Sequence, residues 1–540
     1  MNVTLPFRPR HALLALAMGA GLAAPAAAQS ELLVTPGLGT LNDAIEGDTN
    51  RPADRVYVLQ RGVYYGVNRQ ISNTGYTLRI KAADGDGTRP VLYRGPDNTG
   101  TTIGSRFLLF QDDAELDGIY VLGVDNSEGV AGIPIAVNGD GQRLTVTDCV
   151  FEGALSRFFE INSADTKVYV HDSHFRNYVR EDGSSNGRAF DYRTIPADTL
   201  VIQNSTFANI SGYAVRYDGT RLNYFKFDHN TMHTTGRDVT TNSLGEQVIE
   251  MEVTNNLFVN VNAFGEDSPS AAGEPNGVVR LDSLGAIPAG ITEGDRRAVI
   301  ANNGITTSQA ILAYYAERTA LGDSLMPFQI VNPAAQDYID ANPGATASDN
   351  GPVSVTFVDP PDLTDYVAFL RAFRDGAAEP PFWWFGDVEG QFPAEQPLPE
   401  NYAYNTSSSA YTAAMGGFPL GDLNWFPQRK AEWEVFIKSD AEEGAPLPGT
   451  FALRGAYPNP SAGQATVRFD LGSAADVTVQ VFDLLGREVL ALNAGPVAAG
   501  ADHRLTLGTD ALPAGLYVYR VTAATAGSAE VLTGRITLVR

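Results

Sequence analysis

The sequence predicts an all-β chain: a long parallel β-helix, a solenoid of stacked coils, followed by a small C-terminal antiparallel β-sandwich. Two observations carry this prediction. One strand pattern returns along the first half with its residue types in register, and from Phe451 onward short period-two segments alternate with Gly, Pro and Asp turns.

The repeat reads Thr145-Val-Thr-Asp-Cys-Val-Phe151, Tyr169-Val-His-Asp-Ser-His-Phe175, Val201-Ile-Gln-Asn-Ser-Thr-Phe207, Lys226-Phe-Asp-His-Asn-Thr-Met232 and Glu252-Val-Thr-Asn-Asn-Leu-Phe258. Its final apolar residues are spaced by 24, 32, 25 and 26 positions, with weaker copies ending at Tyr120 and Ile305. A period near 25 residues accommodates three short strands and their turns, which is one coil of a β-helix. Coils stack about 4.8 Å apart, so equivalent residues form ladders. Phe151, Phe175, Phe207, Met232 and Phe258 are expected inside, and Asp148, Asp172, Asn204, His229 and Asn255 beside a turn. Cys149, the only cysteine, shares a column with Ser173, Ser205, Asn230 and Asn256 and reads as a small buried ladder residue. A single cysteine excludes an intramolecular disulfide and multi-cysteine metal sites.

The remaining elements follow from local pattern. Leu41–Glu46 predicts a short amphipathic helix that caps the first coil, ahead of strands at Arg55–Gln60, Thr77–Lys81 and Phe107–Phe110. Leu363–Phe373 has apolar residues at helical spacing and predicts a helix at or near the far end. Glu379–Pro448 is rich in proline and aromatics, including Pro380-Pro-Phe-Trp-Trp-Phe385, and reads as a segment covering a solenoid end or as a sugar-stacking surface. The domain plan is therefore 1–28, 29–378, 379–448 and 449–540.

Residues 1–28 have the pattern of a secretory signal peptide: Arg8 and Arg10, the apolar run Ala12–Ala24, and small residues ending at Ala28 before Gln29. With 63 acidic against 38 basic residues the net charge is -25, which argues against nucleic acid and anionic membrane surfaces as partners. Only five of the basic residues are lysines, so the positive charge is mostly arginine, the side chain suited to bidentate grip on carboxylates.

At the C-terminus, strands are predicted at Thr466–Leu471, Val477–Phe482, His503–Leu507, Leu516–Val521 and Arg535–Val539. The motifs Ala456-Tyr-Pro-Asn-Pro460, Val479-Gln-Val-Phe-Asp-Leu-Leu-Gly-Arg-Glu488 and Leu512-Pro-Ala-Gly-Leu-Tyr-Val-Tyr519 closely resemble the C-terminal sorting domain of type IX secretion substrates. The resemblance implies export by the Sec route, engagement of the type IX machinery, passage across the outer membrane, and removal of the domain with attachment of the passenger to outer-membrane lipopolysaccharide.

The passenger resembles right-handed parallel β-helix proteins of the pectate-lyase-like superfamily, many of which act on polysaccharides. More narrowly, Gly187-Arg-Ala-Phe-Asp-Tyr-Arg193, Asp198–Phe207 and Gly417–Pro427 are similar to secreted bacterial β-helix proteins that carry the same sorting domain, a likeness that brings no catalytic residues with it. The residues themselves do place one constellation. Phe159-Glu-Ile-Asn162, Phe190-Asp-Tyr-Arg193 and Val215-Arg-Tyr-Asp218 occupy matching positions, so alternation directs Glu160, Asp191 and Arg216 outward in one column and Asn162, Arg193 and Asp218 in the next.

Uronate β-elimination needs cations to neutralise the substrate carboxylate and a base matched to the working pH. Arg216, Arg193, Asp191 and Asp218 are the catalytic candidates on that basis, with Arg180, Arg188 and Glu160 beside them for substrate and Ca²⁺ as the ion such carboxylates would hold. A hydrolase would use Glu160 with Asp191 or Asp218. The other reading is a self-paired salt ladder, Asp191 with Arg216 and Arg193 with Asp218. His171 and His174, His229 and His233, and the acidic run Gln111–Asp117 carry weaker metal-binding patterns and read first as surface or turn residues. The function expected is binding, with cleavage as an extension, of an extracellular polysaccharide; the rival is a non-catalytic adhesin or structural surface protein.

Overall fold

A computed structural model describes residues 30–539 except 126–128, 179–185, 238–241, 265–276, 286–290, 324, 326–327, 360, 377–397, 399, 444–450, 458–460, 462, 472–473, 484, 498–499, 510–511 and 526–528. The signal-peptide residues, with Ala28 and Gln29, Arg180, and the Pro380–Phe385 motif lie outside the described residues. The chain forms two compact units, residues 22–430 and 431–540.

The first unit is the parallel β-helix. Two 11-stranded sheets and one six-stranded sheet, called here A, B and C, each add one strand per coil. A central coil runs Arg143–Thr147 in sheet A, Val150–Glu152 in sheet B and Arg157–Ile161 in sheet C before returning to sheet A at Lys167–His171. Every pairing within these sheets is parallel, and Phe151, Phe175, Phe207, Met232 and Phe258 stand in one register as the repeat requires. Phe175 and Phe207 stack with ring centroids 4.7 Å apart, and the whole column is closed to solvent.

The turn from sheet A to sheet B has a backbone reason for its residue types. Asp148, Asp172, Asn204, His229, Asn255 and Asn302 all have φ between 47° and 59°, the left-handed region that Asn, Asp and His tolerate better than other side-chain-bearing residues. The next position points inward and hydrogen-bonds from coil to coil. The backbone N–H of Cys149 donates to Ser173 Oγ at 3.2 Å, that of Ser173 to Ser205 Oγ at 3.2 Å, that of Ser205 to Asn230 Oδ1 at 3.0 Å and that of Asn230 to Asn256 Oδ1 at 2.8 Å. Asn303 and Asn350 extend the ladder by two more rungs. Cys149 is its buried first member, and burial pushes its thiol up to about 12.

The helix Thr40–Gly47 caps the first coil, with Leu41 and Ile45 entering the solenoid core. Sheet C stops after Val215–Asp218, and beyond it the solenoid core is closed by the helix Asn242–Gln247, the short parallel pair Gly277–Val279 and Gln329–Val331, and the helix Pro333–Ala341. Gln309–Ala320 and the expected C-terminal helix, found at Thr364–Arg374, pack together around Tyr314, Leu370 and Phe264. That replacement is why the 25-residue pattern fades beyond Ile305.

The segment from Leu398 to Phe426 is a strap along the outer face of sheet B, not a cover over a solenoid end. Its anchor points span several coils: Gly421 N–H donates to Asn255 O at 2.8 Å, Asn424 Nδ2 to Asn204 O at 2.9 Å, and Lys430 Nζ, just beyond it, to Asp172 at 2.6 Å. The outward side chains of sheet B offer it both an apolar patch, Val91, Tyr120, Leu122 and Val150 against Leu398, and hydroxyl, amide and charged partners farther along.

The second unit holds an antiparallel sandwich. A three-stranded sheet (Ala452–Tyr457, Gln464–Leu471, Gly500–Gly508) shares a core with a four-stranded one (Ala475–Phe482, Glu488–Val497, Gly515–Ala524, Ala529–Leu538). Val467 and Phe469, Val477, Val479 and Val481, and Tyr519 and Val521 alternate inward, as their spacing predicts.

The ladder yields a stability prediction. Asn256 accepts from Asn230 N–H and donates to Phe227 O at 2.8 Å and Asn303 Oδ1 at 2.9 Å, all in the buried interior. Asn256→Ala leaves those groups unpaired and is expected to destabilise the β-helix by about 2 kcal/mol or more, read from denaturant unfolding.

Candidate functional site

Sheet C positions the residues singled out in the sequence. Glu160 pairs with Asp191, Asp191 with Arg216 and Arg193 with Asp218 across successive coils, while Phe159, Phe190 and Val215 line the interior behind them. Asp191 is the centre of the cluster. Its carboxylate is completely buried and meets Arg157 Nε at 3.1 Å, Arg188 Nη1 at 3.2 Å, Arg193 Nε at 3.0 Å and Arg216 Nη1 at 3.1 Å. Glu160, also buried, accepts from Arg157 Nε at 2.8 Å and Asn162 Nδ2 at 3.1 Å, and Arg106 bonds its other side. Arg157 therefore bridges the two carboxylates.

One expected rung is present and one is not. Asp191 and Arg216 pair as foreseen, but Arg193 turns to Asp191, and Asp218 is held by Arg216 of its own strand. A desolvated carboxylate attracts every cation within reach, which outweighs tidy pairing rung by rung. Burial by itself would raise the Glu160 carboxyl, yet hydrogen bonds from Arg157 and Asn162 and the charges of Arg157 and Arg106 hold it below the usual range. Burial lowers Arg188 to about 10 against the pull of Asp191, helped by the charges of Arg216, Arg157 and Arg193.

The arrangement does not fit Ca²⁺. The central carboxylates are already ringed by guanidinium groups, and among the described residues no group of three or more His, Cys, Asp or Glu is placed to hold a metal ion. The acidic run Gln111–Asp117 diverges: Asp112 accepts from Gly75 N–H at 2.5 Å, Asp113 from Arg143 N–H at 2.7 Å, and Glu115 pairs with Arg79 at 3.1 Å. Of the histidines, His229 occupies the left-handed turn column, while His233 stacks on Tyr402 at 4.7 Å with its pKa lowered by burial to about 3.

A second cluster, on sheet B beneath the strap, is one that sequence reasoning missed. His174 and Arg176 flank the inward Phe175 and so face out of the solenoid, where the strap buries them. Arg176 lies between Glu152 at 3.0 Å and Glu400 of the strap at 2.7 Å, and His174 Nε2 is 3.4 Å from Glu400. Tyr120 and Asn177 also bond Glu152. Farther along, Asp422 accepts from Thr206 Oγ1 at 2.7 Å, while its own N–H donates to Thr231 Oγ1 at 2.9 Å. Trp425 Nε1 donates to the same Thr206 hydroxyl at 2.9 Å. Beside these residues opens a cleft of about 650 Å³.

The two strap carboxylates are driven apart. Burial raises Asp422 to about 7, assisted by the charge of Asp172 and opposed by hydrogen bonds from Thr206 and Asn424. Burial acts on Glu400 in the same direction, but Arg176 and His174 overcome it and lower Glu400 to about 2. The available sequence signal was the alternation His174-Phe175-Arg176, two polar side chains on the outward side of a strand; nothing local indicated that a segment more than 200 residues later would cover them.

Comparison with known families places the C-terminal unit. A model of the secretion system C-terminal sorting domain matches residues 455–532, the span of the sandwich. The chain is thus a type IX secretion substrate, exported to the cell exterior or the outer-membrane surface. No curated protein matches the chain.

Asp191→Ala would remove the buried acceptor that four guanidinium groups share and is expected to destabilise the β-helix by about 3–5 kcal/mol in equilibrium unfolding. Asp422 has the opposite linkage from an ordinary paired carboxylate. Its folded pKa is raised, so its contribution to stability is complete below the unfolded value near 3.8 and is lost as the pH rises through about 7. Asp422→Asn should therefore raise the thermal midpoint at pH 8 and leave it nearly unchanged at pH 4, as followed by circular dichroism.

Proposed function

We propose that the protein is a surface-anchored β-helix that binds an anionic extracellular polysaccharide through the arginine rows of sheet C. The carrying observation is the composition of that face. Arg106, Arg157, Arg188, Arg193 and Arg216 surround Glu160, Asp191 and Asp218, a local excess of positive charge in a chain of net charge -25. Side chains of Arg106 and Arg193 are 48% and 43% exposed and Arg216 22%, so the cationic rim meets solvent while the carboxylates lie beneath it. Guanidinium groups fixed from behind by buried carboxylates are pre-organised to receive uronate or sulfate groups in bidentate fashion. A linear polymer matches such a face because successive coils repeat their side chains along it.

The geometry favours binding over cleavage. Elimination needs a base facing the ligand, and the oxygens of Asp191 and Glu160 are occupied by arginines, while Arg188 at about 10 stays protonated at neutral pH. The same occupation, with Arg157 between them, removes Glu160 and Asp191 as a hydrolytic pair. The protein therefore stands nearer to an adhesin than to a lyase. The sorting domain supports the anchoring part of this reading, in which its removal on export leaves the passenger attached to outer-membrane lipopolysaccharide.

Retention of the purified mature chain on immobilised polygalacturonate and alginate tests this. Arg193→Ala with Arg216→Ala is expected to weaken retention at least tenfold, and added salt should weaken the native protein in the same direction. Unsaturated uronate products that disappear in Arg216→Ala would instead establish a lyase, and native retention by the double variant would remove sheet C as the binding face.

A further inference from the structure

The matched sorting domain implies that the type IX machinery takes hold of the C-terminal sandwich, and one end of its four-stranded sheet differs from the rest of the outward face. Strand alternation turns Thr478, Gln480 and Phe482 outward on Ala475–Phe482, and Leu516, Val518 and Arg520 outward on Gly515–Ala524. The register sets Thr478 opposite Thr522 and Gln480 opposite Arg520, so one part of this face is polar. The other end is not. There Phe482 stands opposite Val518, and Leu516 follows two residues away on the same side, 40% exposed.

Two more apolar side chains are brought to that end. The finish of Ala475–Phe482, the start of Gly515–Ala524 and the finish of Ala529–Leu538 all lie there, because their pairings are antiparallel. Leu485 sits in the turn after Phe482 and is 79% exposed, and Val539 follows the last strand on its outward side and is 43% exposed. Neither is a loose end. Asp483 Oδ1 accepts from the backbone N–H of Leu485 at 2.9 Å and of Arg487 at 3.0 Å, and Gly486, at φ 80°, supplies the left-handed residue that closes the turn. Val539 N–H donates to Ser461 O at 2.8 Å. The backbone is ordered while these side chains stand in water.

Single exposed apolar residues are ordinary, whereas a contiguous group marks a surface that a partner covers. Val531, 50% exposed at the opposite end of the sheet beside Thr522 and Thr533, is of the single kind. The group has a polar rim: Arg520 lays its guanidinium over the Phe482 ring at 4.7 Å, and Arg487 and Glu488 are exposed beside the turn. An apolar centre within a polar rim is the anatomy of a protein–protein contact, and the partner a sorting domain serves is the machinery that exports it.

We propose that Leu485, Leu516, Val518 and Val539, with Phe482, form the surface that the type IX machinery grips, the partner presenting an apolar groove to them. This inference rests on the family of the C-terminal unit and is independent of polysaccharide binding by the passenger.

The test is export of the full chain from a bacterium with a working type IX pathway, measured as the ratio of surface and medium protein to periplasmic protein by quantitative immunoblot. Leu485→Glu with Leu516→Glu is expected to lower that ratio roughly tenfold or more, while Leu485→Met with Leu516→Met retains native export. Val531→Glu, the same insertion of charge at an exposed apolar site of the same sheet, should change it less than about twofold. Circular dichroism and the thermal midpoint of the purified variants report whether the sandwich is folded, and Leu485→Ser alone, on the turn and outside the core, should still lower export about threefold. Deletion of residues 449–540 should abolish export. Native export by both the double Glu variant and Leu485→Ser, or an equal loss in Val531→Glu, would overturn the proposal. So would a dimer of the native chain in sedimentation that the double variant dissolves, since the patch would then belong to a second copy, and export that survives the deletion would remove the sorting role beneath it as well.

Discussion

Everything on the passenger's surface depends on the stacked turn between sheets A and B. One residue there is held in the left-handed conformation, and the next sends its side chain inward to hydrogen-bond the coil beneath. From Cys149 to Asn350 the ladder fixes the register of the coils, because a slip by one residue would expose the phenylalanine column and bury the outward charges. With a single cysteine and no disulfide, this hydrogen-bonded column and the aromatic stack beside it define the solenoid.

Register made much of the fold legible. Once the turn residues and the apolar markers were aligned, the strand positions, the capping helix at Thr40–Gly47 and the sheet C columns followed. The sandwich strands were legible for the simpler reason that period-two alternation marks a sheet with one buried face. The later coils resisted because sheet C ends there and short helices with one strand pair take over its part of the core, an exchange that erases the repeat while preserving the stack of sheets A and B.

Side-chain partners were less legible than positions. Arg193 and Asp218 stand opposite each other, yet Arg193 turns to Asp191 and Asp218 to Arg216, because Asp191 between the rows is desolvated and draws the cations inward. The sheet B cluster shows the stronger limit. Arg176 and Glu152 belong to neighbouring coils, but Glu400 arrives from the far end of the unit, so the motif does not exist as a local string of residues. Two polar side chains flanking Phe175 on the outward side were the sole trace it left.

The strap also sets an order of assembly. Coils can add one after another through contacts between neighbours, each new strand finding its template already in place. The strap cannot, since its bonds to Thr231, Asn204 and Asp172 bridge 191, 220 and 252 positions of chain. It closes last, upon a solenoid that is already built, and the cleft beside Trp425 comes into being only at that closing step. A passenger interrupted just before Leu398 would thus present a finished β-helix with its sheet B face bare.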